Sequence, residues 1–293
     1  MNRGDRREAI FEDDHDRQCF IETLGATCGK TGWQIHAYVL MGNHFHLVVE
    51  TPQANPCMGM KWLLGTYTMR FNRRHKQWGH LFGGRYKAQL IDERDERYLV
   101  TACDYVHLNP ARAGLLKSEE PLENYRWSSF VGCLKAAVRP NWQRVDRMFG
   151  EHGLSEERWK DRREFARRLE SRRQEGMDEA QVAQLRRGWR FGNEDFVDWL
   201  VGKIEGKTLG VEPGAERRET DEAMAERLAK EGLAIAGWTE EMLSKTIKGH
   251  PVKVEIARQV RRRTAVTRVW IADRLKMGSA SYVSGLLTVN IKD

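Results

Sequence analysis

Acidic residues are missing from one long stretch: residues 51–91 contain no aspartate and no glutamate. No apolar run in the 293-residue chain reaches the roughly 18 residues that a membrane-spanning helix needs, which excludes such a span. The opening Met1-Asn2-Arg3-Gly4-Asp5-Arg6-Arg7 is followed by no apolar signal-peptide region. Cysteine is scarce, odd in number and scattered (Cys19, Cys28, Cys57, Cys103, Cys133), with no C-x-x-C pair. That excludes a disulfide framework and a cysteine zinc site, fits a reducing cytoplasm, and leaves the five as small core residues. Internal repeats and low-complexity tracts are also lacking. What is present is an ordinary globular composition, 31% charged and 40% apolar, with a net charge of +7 that suggests a polyanionic partner.

Residues 8–11 read as a short strand. Residues 13–28 read as a helix, with Phe20, Ile21 and Leu24 at helical spacing and Gly29 and Gly32 breaking it. Two β-rich runs follow, 34–41 and 44–50, and the intervening Gly42-Asn43 is a two-residue hairpin signal. A helix is expected at 57–76, a strand at 80–91 and a third helix at 93–109, ended by Pro110. This alternation predicts one antiparallel or mixed sheet with helices on one face. Beyond Trp127 the character changes: 131–201 is a charged helical extension, 202–220 is a glycine-rich linker, and 221–293 is helical again.

Two motifs carry chemistry. On a strand, residues two apart share a face, so His44 and His46 project together while Phe45 turns into the core. Two imidazoles on one face can bind a divalent ion. An isolated His-x-His is more often two polar residues on a half-exposed strand, but its surroundings, Tyr38 through Glu50, are far more specific than the pair. On the third helix, Tyr105 and Asn109 lie four apart on one face. Tyrosine is a weak nucleophile unless a base or metal assists it, and Asn109 can offer an oxygen to that metal. Alone, Tyr105 reads as an amphipathic core-edge residue and Asn109 as a helix terminator; taken together the two motifs outweigh that.

The acid-free stretch carries Lys61, Arg70, Arg73, Arg74, Lys76, Arg85 and Lys87, interleaved with Tyr67, Phe71, Trp78, Phe82 and Tyr86. Cations suit phosphates and aromatic faces suit unpaired bases, which together describe a single-strand nucleic-acid surface.

Residues 1–130 resemble the single-tyrosine HUH (IS200-like) transposases, in particular their REP-associated branch. The resemblance rests on Asn2-Arg3-Gly4-Asp5-Arg6-Arg7, Met41-Gly42-Asn43-His44-Phe45-His46, Phe71-Asn72-Arg73-Arg74-His75, Phe82-Gly83-Gly84-Arg85-Tyr86-Lys87, Tyr105 through Gly114, and Tyr125-Arg126-Trp127-Ser128-Ser129. It implies an α+β fold with a ferredoxin-like antiparallel sheet. It further implies Mg²⁺ or Mn²⁺ on His44 and His46 with Asn109 as third ligand. Tyr105 would then attack single-stranded or hairpin DNA to form a 5′-phosphotyrosine link. Members carry about a dozen residues ahead of the Asn-Arg-Gly segment as a first strand, so that strand is expected to be truncated here. The alternative implied is a DNA-binding protein of the same fold that performs no chemistry.

The last stretch, Val269 through Leu287, has helix-turn-helix spacing around Met277-Gly278 and resembles a module appended to some members. Ser279, Ser281, Tyr282 and Ser284 are expected to face a major groove of duplex DNA. The sequence does not set the oligomeric state.

Overall fold

The computed structural model describes residues 1–205, 215–264 and 266–288. They fall into two compact units, one built from nearly all of residues 1–205 and the other from the helices beyond residue 214. Among the described residues, no helix is long and apolar enough to cross a membrane.

The first unit is organised on a three-stranded antiparallel sheet. Its strands are β1 (Asn2–Arg3), β2 (Gln34–Leu40) and β3 (His44–Glu50), in the order β1-β3-β2. The hairpin joining β2 to β3 is the expected one: Met41 N–H donates to the His44 carbonyl at 2.8 Å across Gly42-Asn43. Neither turn residue has positive φ, so this is not a primed turn. Outside donors hold it instead, Gly4 N–H on the Asn43 carbonyl (2.9 Å) and Ile10 N–H on the Gly42 carbonyl (3.1 Å). Residues 8–11 are therefore not the expected strand; they are irregular chain that laces over the turn and buries Ile10 and Phe11.

The pleat sends alternate side chains to opposite faces, and both faces are covered. On one face Ile35, Tyr38, Leu40 and Phe45 join Phe20 and Leu24 of α1 (Asp14–Thr31) and Met60, Leu63, Tyr67 and Phe71 of α2 (Pro56–His75). Phe45 is fully buried, its ring centroid 4.7 Å from that of Phe20. Burying such a ring contributes about 1.5–3 kcal/mol. On the other face Ala37, Val39, Met41 and Val48 meet Leu99, Cys103 and Val106 of α3 (Glu96–Arg112). The expectation of helices on one face is thus corrected, because α3 carries its own apolar stripe and takes the second face.

Helix α3 also continues past the expected stop. Pro110 lies inside it, and the chain turns only at Ala113, whose N–H donates to the Asn109 carbonyl. A proline this close to a helix end removes one intrahelical bond, a cost that the burial of Leu108 and Pro110 offsets. The expected strand at 80–91 shrinks to β4 (Leu90–Ile91). Gly79 and Gly84 adopt positive φ, and the intervening segment forms one isolated β-bridge, Phe82 to Gly4, just beyond β1.

The rest of the unit is helical: α4 (Phe130–Leu134), α5 (Asp146–Glu151), α6 (Trp159–Glu175), α7 (Glu179–Arg187) and α8 (Asp195–Glu205), with β5 (Arg190–Phe191) parallel to β4. Residues 131–201 share the core of the α3 face through Phe149, Phe165, Leu169, Val182 and Phe191. The Tyr125–Ser129 motif finds its explanation on the outer edge of β2. Leu40 N–H donates to the Trp127 carbonyl, the Tyr125 hydroxyl to the Leu40 carbonyl, and Tyr38 N–H to Ser129 Oγ at 2.8 Å. Further along the same edge, Ile35 exchanges backbone bonds with Trp142 and Arg144.

The second unit comprises α9 (Ala215–Ile235), α10 (Glu240–Lys245), α11 (Pro251–Arg263), α12 (Arg268–Arg274) and α13 (Ala280–Thr288) around Leu228, Leu243, Ala257, Ile271, Leu275 and Val283. Lys253 is fully buried, and its ammonium donates to the carbonyls of Leu243, Thr246 and Lys276 at 2.7, 3.1 and 3.3 Å. Of the expected linker at 202–220, residues 202–205 belong to α8 and 215–220 to α9, while 206–214 lie outside the described residues.

His107, buried on α3 with Nε2 2.9 Å from Ser129 Oγ, is pushed down to about 3 by burial. The unfolded chain takes up this proton near pH 6.5 and the folded chain only near pH 3, so acidification through that window favours unfolding. The contribution is complete above pH 6.5 and is lost as pH falls. His107→Gln is expected to reduce the stability lost between pH 7.5 and 5 by about 2 kcal/mol, read from urea melts at both pH values; an unchanged loss would show that His107 is not held neutral.

Candidate functional site

The α3 face of β3 gathers the chemistry-bearing residues. His44 and His46 are both half-buried and stand side by side, ring centroids 5.2 Å apart at 77°. Tyr105 comes from α3, its ring centroid 5.9 Å from that of His46 and nearly perpendicular to it. The strand pleat aims the imidazoles and the buried stripe of α3 fixes the phenol, so the approach follows from packing on both sides.

Burial disfavours the imidazolium, and the positive charge of Arg3 adds to this; His44 is lowered to about 4 and His46 to about 3. Both rings are therefore neutral near pH 7 and have lone pairs to offer. Asn109 is half-buried one turn beyond Tyr105, and its amide nitrogen donates to the Tyr105 carbonyl at 3.4 Å, while its amide oxygen can only accept. No third histidine, cysteine or carboxylate joins the pair among the described residues. Two neutral imidazoles side by side fit an ion that keeps open positions.

Sequence reasoning missed Arg112. Its guanidinium carbon lies 5.2 Å from the Tyr105 ring centroid, placing an exposed cation beside the phenol. The signal was legible: Arg112 is seven residues beyond Tyr105 and on the same helical face, but an expected stop at Pro110 hid it.

The basic stretch divides. Arg73, Lys76, Arg85 and Lys87 are exposed. Residues 81–87 run beside β1, with Asp5 N–H on the Leu81 carbonyl and Gly83 N–H on the Arg3 carbonyl, and β1 in turn pairs Arg3 with His44. Arg85 and Lys87 are thus carried on chain that runs beside β1, the neighbour of the strand that bears the imidazoles. Trp78 is 90% exposed in the loop between. Arg74 is committed elsewhere: it pairs with Asp13 and with buried Asp16, while His75 bonds Asp16 and Glu12. Arg70 donates to Thr23 Oγ1 at 2.9 Å. These two side chains tie α2 to α1, and the acids that neutralise Arg74 come from far away in sequence.

In the second unit, Ser279 is exposed just ahead of α13, and its Oγ accepts from Tyr282 N–H at 3.2 Å. Ser281 and Tyr282 are exposed on α13, whereas Ser284 is half-buried.

Residues 1–109 match the model of a family described as transposase, IS200 like, a span that holds His44, His46, Tyr105 and Asn109. No curated protein and no solved structure matches the chain.

Because Asp16 is 2% exposed and Arg74 35% exposed, Asp16→Ala is expected to destabilise the fold by about 2–3 kcal/mol. A urea melt shifted by less than 0.5 kcal/mol, on the order of ordinary surface substitutions, would mean that the junction is not a structural one.

Proposed function

We propose that the region matching IS200-like transposases makes this chain a metal-dependent transposase of single-stranded or hairpin DNA, of the REP-associated tyrosine branch. The observation that carries the reading is the approach of Tyr105 to His46 and, through it, to His44. His44, His46 and the Asn109 oxygen would hold Mg²⁺ or Mn²⁺, which would supply Lewis-acid polarisation of the scissile phosphate. Tyr105 Oη gives up its proton and forms a bond to phosphorus as the bond from phosphorus to the 3′ oxygen breaks. The products are a 5′-phosphotyrosine and a free 3′-hydroxyl, and reversal by a second strand end completes transfer. Arg112 brings positive charge to the phenol at which the phosphate must arrive.

Arg73, Lys76, Arg85 and Lys87 hold the backbone of the strand, and Trp78 gives an unpaired base a face to stack on. A second contact to duplex DNA is proposed for α12 and α13, presenting Ser281 and Tyr282 with Lys276 exposed in the preceding turn. The helix pair and its tight turn at positive-φ Lys276 and Gly278 support this reading.

Incubation of the chain with Mn²⁺ and a single-stranded hairpin is expected to yield a protein–DNA adduct that survives denaturation, and Tyr105→Phe to yield none. Cleavage persisting in Tyr105→Phe would point to metal-activated water and remove the tyrosine from the reaction. Binding without cleavage by the unaltered chain would favour a DNA-binding protein that performs no chemistry.

Affinity for that hairpin should fall steeply with salt, and Arg85→Ala and Lys87→Ala should each lower the slope by about one. Arg74→Ala should leave the slope unchanged, since its charge is already neutralised. Equal effects from all three would refute this division of the basic stretch.

A further inference from the structure

We infer that Asn43 is a positioning residue: it fixes His44 in the tautomer that carries its proton on Nδ1 and so reserves Nε2 as a lone pair. The inference rests on the proposed metal role of His44 for its purpose, though not for its geometry.

The argument follows donors and acceptors around one side chain. The Arg7 carbonyl can only accept, and an amide atom of Asn43 lies 3.0 Å from it; that atom is Nδ2. The other amide atom, Oδ1, therefore faces His44 Nδ1 at 2.7 Å. Oδ1 can only accept, so Nδ1 is the ring nitrogen bearing hydrogen, and in the neutral ring Nε2 bears none. A first-row or hard divalent ion needs such a bare nitrogen, and a hydrogen bond on the opposite nitrogen fixes ring orientation as well as tautomer.

The Arg7 carbonyl is itself held in place. Arg6 and Arg7 sit at φ 48° and 66°, a left-handed pair that only a constrained turn maintains. Gly4 opens this turn where a Cβ would come within 2.2 Å of the Glu8 carbonyl oxygen, so no larger residue fits. Gly4 N–H then grips the Asn43 carbonyl and Ile10 N–H the Gly42 carbonyl. Two sequence motifs far apart in the chain, Asn2 through Arg7 and Met41 through His46, thus form one device. The first delivers a carbonyl, Asn43 converts it into an oriented acceptor, and His44 receives the result.

Two-bond ¹H–¹⁵N correlation spectra of the full chain with ¹⁵N-histidine, free of metal at pH 7.5 and assigned with His44→Gln, read the tautomer directly. The unaltered chain is expected to show the Nδ1–H pattern at His44. Asn43→Ala should convert it to Nε2–H, and Asn43→Asp, which keeps the acceptor, should retain it, with the His46 pattern unchanged in all three. Asn43→Ala should also weaken Mn²⁺ binding about 10- to 100-fold, and Asn43→Asp should restore part of it. An Nε2–H pattern in the unaltered chain overturns the inference, and that measurement stands even if Asn43→Ala fails to fold. Retention of Nδ1–H in Asn43→Ala, or a changed tautomer with unchanged Mn²⁺ affinity, also overturns it. An Nδ1–H pattern in a chain that takes up no Mn²⁺ would instead sink the metal reading and leave the tautomer assignment standing.

Discussion

Everything at the site depends on the two-residue period of β3. One strand presents Phe45 to a core that tolerates no water and, on either side of it, two imidazoles to the opposite face. A slip of one residue would bury both histidines among Phe20 and Tyr67 and turn Phe45 toward Tyr105. Phe45 is thus the register pin, and the aromatic cluster around it secures the position of side chains it does not touch.

The opposite wall obeys a different period. Helix α3 places Leu99, Cys103 and Val106 against the sheet, and the next positions around the helix, Tyr105, Asn109 and Arg112, fall along one side. The two periods meet at His46 and Tyr105, where a strand and a helix that share no local sequence converge on perpendicular rings. The second unit relies on another principle. There a buried ammonium gathers two carbonyls from the end of α10 and one from Lys276, tying the two segments to α11.

Where local pattern and packing agreed, the sequence was legible. The alternation of 44–50, the Gly42-Asn43 turn and the helix at α2 all appear within a residue or so of expectation. Where the deciding partner was distant, it was not. The acid-free run looked uniformly available to phosphate because Asp13 and Asp16 lie far away in sequence, just before and in the first turn of α1, and only folding brings them to Arg74. The strand expected at 80–91 had the right residues but glycines at Gly79 and Gly84 whose left-handed geometry forbids a continuous ladder. Pro110 misled for a related reason: the preference it imposes is local, while the burial that overrides it comes from the whole unit. At the site the nearness of the two histidines and Tyr105 agrees with what spacing suggested, and Arg112 was hidden only by the expected stop at Pro110, but the link from Asn43 to His44 needed the neighbours that the fold supplies.

The covering of β2 has a consequence for assembly. A bare strand margin invites another chain to continue the hydrogen-bond ladder. Here Tyr125, Trp127 and Ser129 at one end and Trp142 and Arg144 at the other already occupy the bonding groups of Ile35, Tyr38 and Leu40. Two copies therefore cannot merge their sheets through that margin without first peeling away chain that also anchors His107. If the protein pairs with itself, side-chain surfaces must do the recognising there, and the spacing between two sites in such a pair is not set by the geometry of a shared sheet.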